Sequence, residues 1–146
     1  ALDEAMESRD GRTTKALGEL GIGLVELQRV FIGLGDWDEA DFLLEATLDL
    51  GADLRESETL ADGLAGVFME RALLGALDPD TVIGWDGERA GERLEWLGTE
   101  QAEILGMLDG ARETRAPLDA AGWAEYRRRL AEEGERAALR WARDRR

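Results

Sequence analysis

Apolar residues in the first third of the chain recur at helical spacing. Leu17, Leu20, Leu24, Leu27, Phe31 and Leu34 stand three and four residues apart, which places them on one face of a helix. Ile22, Val25 and Ile32 add apolar surface on other faces. Such a helix is expected to be covered by several neighbours or to offer a second face to a partner. After Gly35 the run Asp36-Trp37-Asp38-Glu39-Ala40 reads as a new helix start, with Asp36 or Asp38 as its cap and the acids suited to the positive end of the helix dipole. Ala40, Leu43, Leu44, Thr47, Leu48 and Leu50 supply its inward side. A turn as short as Gly35-Asp36 makes the two helices antiparallel.

The remaining pattern is helical as well. Residues 2–9 read as a short helix broken at Gly11-Arg12-Thr13, with Thr13 or Thr14 capping the long helix that follows. Gly51-Ala52-Asp53 is expected to close the second helix. A third begins near Ser57 or Thr59 and runs through Leu60, Leu64, Val67, Phe68, Ala72, Leu73, Leu74 and Leu77 to Asp78-Pro79. The connection after Pro79 carries Val82, Ile83 and Trp85, which implies that it folds back on the helices or meets a partner. Further helices are expected over residues 86–97 and 99–112. A long final helix is expected over residues 118–143, with Trp123, Tyr126, Leu130, Gly134, Ala137 and Trp141 as one stripe.

Composition agrees with an all-α domain. The chain has 146 residues, enough for one core, and 44% of them are hydrophobic, which favours folding over disorder despite 35% charged residues. Prolines number two, and β-branched residues are scarce beside Ala, Leu, Glu and Arg. The discordant feature is 18 glycines, several of them inside helical patterns, where each costs about 1 kcal/mol relative to alanine; close helix packing is their simplest use. The net charge of −15 is uneven: residues 1–110 carry −18 and residues 111–146 carry +3. The acidic body favours solubility or a basic partner and disfavours nucleic-acid backbones. Arg127, Arg128, Arg136, Arg140 and Arg143 lie largely off the final stripe, so that helix can dock on the acidic body with cations outward.

Absent residue types restrict the chemistry. Without cysteine or histidine there are no disulfides, no thiolate or histidine catalysis and no histidine-ligated metal. Glu92/Glu95, Glu100/Glu103 and Glu132/Glu135 have the spacing that puts two carboxylates on one helix face, and Asp38, Asp41, Glu45 and Asp49 form an acidic stripe. All-α nucleotide pyrophosphohydrolases pair such carboxylates with a Glu-x-x-Asp on the following helix. Here the only one, Glu7…Asp10, lies upstream of every pair. Asp78-Pro-Asp80 begins like a calcium loop, but Val82 and Ile83 stand where an oxygen ligand and a glycine are needed. The glycines of residues 17–23 follow no strand and precede no phosphate-binding lysine. No metal, no cofactor and no catalytic constellation is expected.

The segment Leu24…Leu27…Phe31…Gly35-Asp36-Trp37…Ala40…Leu44 resembles a tetratricopeptide repeat, whose unit of about 34 residues has bulky residues in its first helix, a Gly-acid-aromatic turn, and a small then a large residue in its second. The resemblance covers about residues 21–54 and departs at Gln28, Thr47 and Ala52, with looser second and third units. It implies a short right-handed superhelix of stacked hairpins in one domain: an N-terminal helix (1–12), a first hairpin (14–54), a second with a long connection (57–97), and a third ending in the long C-terminal helix (99–146). It also implies a concave groove lined by Ile22, Val25, Arg29 and Ile32, by Asp62, Gly66, Met69 and Glu70, and by Glu100, Glu103 and Met107. An apolar strip bordered by acids suits a basic amphipathic helix or peptide.

The function expected is a non-enzymatic protein-interaction module. The alternatives are a structural subunit acting through self-association or a larger complex, and an acidic-helix metal hydrolase. The start Ala1-Leu2-Asp3-Glu4 has neither the basic nor the apolar segment of a signal peptide, and no apolar run is long enough to span a membrane, so a cytoplasmic location is expected.

Overall fold

The computed structural model describes the backbone of residues 2–84 and 86–145, and within them the side chains from residue 15 onward. Trp85, the apolar side expected for residues 2–9 and the caps expected at Thr13 or Thr14 lie outside the described residues. The fold is all-α. Six helices are described: α1 (Leu2–Leu34), α2 (Trp37–Arg55), α3 (Leu60–Leu74), α4 (Ala90–Arg115), α5 (Ala120–Glu133) and α6 (Glu135–Asp144).

The turn between α1 and α2 forms as its residues dictate. Gly35 takes φ 74°, Asp36 N–H donates to Phe31 O at 2.9 Å and Gly35 N–H to Ile32 O at 3.1 Å, which closes α1 with a left-handed glycine. Asp36 then caps α2, its carboxylate accepting from Glu39 N–H at 3.5 Å. Thr59 caps α3 in the same way, accepting from Asp62 N–H at 3.2 Å.

Four expected boundaries are corrected. α1 runs unbroken through Gly11, since a single glycine weakens a helix without ending it. α2 continues past Gly51, which is buried and lies against Gly66 and Glu70 of α3; the absent side chain makes room for a neighbour rather than a stop. The helices expected over 86–97 and 99–112 are one, α4: Thr99 Oγ1 donates back to Glu95 O at 3.4 Å instead of capping a new start, and Leu97 and Ile104 are buried on one face. The final helix, conversely, is two. Gly134 takes φ 90° between α5 and α6, a Cβ there would stand 3.3 Å from Glu58 O, and Glu135 N–H donates to Glu58 O at 2.8 Å. Glu135 also accepts from Leu60 N–H at 3.0 Å, which fixes the start of α6 to the start of α3.

The core centres on α3, which packs against α1, α2 and α4. Gly63, Ala65, Gly66, Val67, Met69, Glu70, Leu73 and Leu74 of this helix are buried. A helix apolar on nearly all sides belongs in the middle of a bundle. Leu60, Val67 and Leu74 join Leu97 and Ile104 of α4 and Ala138, Leu139 and Ala142 of α6 in one cluster, with Leu44 and Leu48 of α2 against it. The connection from α3 to α4 folds into a small turn, with one antiparallel bridge between Val82 and Arg89 and Ile83 packed on the core.

Candidate functional site

Two features stand out from this packing, a buried ionic cluster and an open apolar face. The cluster is centred on Glu70, whose side chain is fully buried. Arg55 of α2 donates to it through Nε at 2.5 Å and Nη2 at 3.2 Å, and Arg93 of α4 through Nη1 at 3.3 Å. Arg93 also grips Glu88 of the connection at 2.6 and 2.8 Å, and Arg55 stacks over Trp96 at 4.8 Å. The chain of contacts joins α2, α3, α4 and the connecting turn. All of its members are engaged with one another, so its role is to fix how the helices meet.

Burial pushes the Glu70 carboxyl above the usual glutamate value, against the opposing pull of Arg55 and Arg93. The folded state therefore holds that proton more tightly than the unfolded state. Glu70's contribution to stability is fully present below the unfolded pKa and declines as pH rises through the folded one. In urea unfolding between pH ~4 and ~7, wild type is expected to lose stability with rising pH relative to Glu70→Gln. A difference that stays constant across that range would show that the carboxyl is not perturbed.

The residues expected to line one groove are distributed over three environments. Ile22 is 60% exposed and Arg29 is exposed on one side of α1, whereas Ile32 is half-buried and continues the inward row of Gly21, Val25 and Gln28. Val25, Met69 and Glu70 are buried, which corrects their assignment to an open surface. Gly66 packs against Gly51, and half-buried Asp62 bonds Ser57 at 2.9 Å. Glu100 and Glu103 pair with Arg136 and Arg140 of α6, and Met107 packs on the core nearby. The α4 acids that would draw a basic helix thus already hold one, the chain's own α6. The Arg140 guanidinium beside Glu103 keeps that carboxyl below its usual range.

Two other candidate carboxylates have local partners. Glu92 accepts from Arg89 N–H at 3.0 Å, and Glu132 pairs with Arg128. Among the described residues no group of three or more acidic side chains converges as a metal-binding set. Asp80 pairs with Arg89 at 3.0 Å, and Asp86 accepts from Glu88 N–H at 3.1 Å to shape the turn. Two clefts of about 230 Å³ flank α6, one lined by Glu103, Met107, Leu139, Arg140 and Arg143 and the other by Pro117, Leu118, Ala142 and Arg145. Among the described residues no helix is long and apolar enough to cross a membrane.

The open side of the bundle carries Phe68 and Leu105, neither of them among the residues expected to line the groove. Phe68 of α3 is 49% exposed, one position before buried Met69. On the helix wheel Phe68 and Ala72 point away from Gly66 and Glu70, which face α2, and toward the same side as Ile22 of α1. Arg71, also on that side, donates to Gln101 of α4. Leu105, exposed, follows one turn later on that flank of α4, opposite the Glu100–Glu103 flank that receives α6. Ile22, Phe68 and Leu105 therefore form a discontinuous apolar strip across α1, α3 and α4, with Arg29 and Arg71 beside it.

Comparison with protein-family models, with curated proteins and with solved structures finds no match.

Proposed function

We propose that this chain is a non-enzymatic protein-interaction module that binds an amphipathic helix or peptide across the open side of α1, α3 and α4. The observation that carries the reading is the placement of Ile22, Phe68 and Leu105, three exposed large apolar side chains on one side of the adjacent helices α1, α3 and α4. Apolar anchors spaced across parallel ridges suit a helix laid over them. The arrangement is compatible with a tetratricopeptide-like plan, in which the first helix of each hairpin faces the ligand. Arg29 and Arg71 border the strip, so acidic rather than basic side chains suit the partner's polar positions there.

Glu92, Glu100, Glu103, Glu132 and Glu135 are engaged in ion pairs, caps or backbone contacts, which favours this reading over a metal hydrolase. Selection from a displayed peptide library tests the proposal. Selected peptides are expected to bind wild type and to lose about 30-fold or more in affinity against Ile22→Glu/Phe68→Glu, with helical circular dichroism unchanged because both side chains are exposed. Equal binding by the double variant would place the binding surface elsewhere.

A further inference from the structure

A second apolar surface lies on the far side of α1, away from the strip just described. Buried Gly21, Val25 and Gln28 face the bundle interior, and half-buried Leu24 and Phe31 stand beside them. Next around the helix come Leu20, Leu27 and Leu34, exposed by 47, 43 and 74%, followed by Val30 at 54%. On α2, Leu44 and Leu48 pack on the central cluster, which leaves half-buried Leu43 and Leu50 toward α1 and places Phe42, 65% exposed, beyond them on the same outer side. Gly23 sits within the stripe with nothing within 4 Å of where a Cβ would stand, so a partner backbone can approach closely.

We infer that this outer face of the α1–α2 hairpin is the interface of a two-fold homodimer, with a second copy of the chain as its occupant. Three properties select a copy. Leu20, Gly23, Leu27, Val30 and Leu34 stand at alternating spacings of three and four, the pattern by which one helix meets another like itself side by side. The stripe from Leu20 to Leu34 on this face contains no charged residue, so it is self-complementary under a two-fold axis despite the net charge of −15. Its exposed side chains amount to roughly 500 Å² of apolar surface, toward the upper end of the ~300–600 Å² of the largest patch on a typical monomer and enough for the apolar centre of an interface that buries ~800 Å² per partner. Asp38, Glu45 and Asp49 are exposed on α2 near Phe42, so like-charge repulsion opposes association at low salt.

Light scattering across concentration is expected to show wild type at twice the 16.1 kDa chain mass, with tighter association as salt is added. Leu27→Glu/Leu34→Glu should weaken it by roughly 100-fold or more and keep the melting temperature of the monomer, since both side chains are exposed. The chain has no cysteine, so Leu27→Cys, near the middle of the stripe, is expected to form an intermolecular disulfide on oxidation, whereas Phe68→Cys, on the opposite face, is not. A monomer at every concentration, a dimer that survives the double glutamate variant, or a dimer that added salt dissociates would each overturn the assignment. The peptide-binding face does not share these residues, so failure here leaves that proposal to its own test.

Discussion

Gly66→Ala is expected to destabilise the fold by about 3 kcal/mol, a drop of roughly 10 °C in melting temperature for a domain of this size. A methyl group at position 66 would stand 2.6 Å from Gly51 O and 2.9 Å from Leu54 Cβ. The first of these is backbone, so α2 and α3 would have to separate, and the buried contacts around Thr47 and Glu70 would loosen with them. Glycine here sets the distance between two helices, and its helix-breaking tendency is offset by the packing it permits. Gly98→Ala and Gly106→Ala in α4 serve as controls. No neighbouring atom lies within 4 Å of either new Cβ, so each is expected to stabilise by ~0.5–1 kcal/mol. Differential scanning calorimetry of the three variants separates packing from propensity; a Gly66→Ala melt equal to wild type would mean that α2 and α3 are not in close contact.

Glu70→Ala should cost about 3 kcal/mol, because it leaves the part-buried Arg55 without its carboxylate partner, while Arg93 keeps Glu88. The same substitution should change the behaviour of Gly51. Alanine at 51 would put its Cβ 2.5 Å from Glu70 Cγ, so Gly51→Ala is destabilising alone and nearly neutral once Glu70 is shortened. Chemical denaturation of both single variants and the double variant measures that coupling. Strict additivity would show that the two side chains do not meet.

Both predictions concern contacts that spacing alone does not disclose. The helical class, the Gly35-Asp36 turn and the Thr59 cap were legible because each rests on local chemistry, a left-handed glycine or a side-chain oxygen facing a free N–H. Which side of α1 faces inward was not. The leucine stripe is the more apolar, yet the inward face is displaced from it by one residue, at Gly21, Val25 and Gln28, because Met69 of α3 fits against Gly21, 3.1 Å from where its Cβ would be. A small residue that lets a helix approach can outweigh a ridge of large ones. That displacement buries Val25, frees Leu20, Leu27 and Leu34, and explains why only part of the α1 residues expected in the groove are exposed.

α3 posed a different difficulty. Its residues are apolar on almost every side, so no wheel reading separates Phe68, exposed, from Met69, buried; only the positions of α1, α2 and α4 decide it. Polar Gln28 and Thr47, departures from the repeat pattern, are both buried: Thr47 Oγ1 donates to Leu43 O at 2.7 Å, while Gln28 Oε1 accepts no hydrogen bond from the described residues. The acidic pairs of α4 looked like free carboxylates because Arg136 and Arg140 lie 36 and 37 residues further on, and the turn at Gly134 that aims them back depends on a contact with Glu58. Long-range pairing of this kind has no local signature.

The central functional claim is that the side of the bundle bearing Ile22, Phe68 and Leu105 receives the partner. Methyl-resolved NMR of the chain, titrated with a peptide selected against wild type, tests it most directly. The prediction is that the Ile22 and Leu105 methyl signals shift with saturating dose while those of Leu139 in α6 and Leu34 on the outer face stay in place. Shifts confined to α6 or to the outer stripe, with Ile22 and Leu105 unmoved, would contradict it.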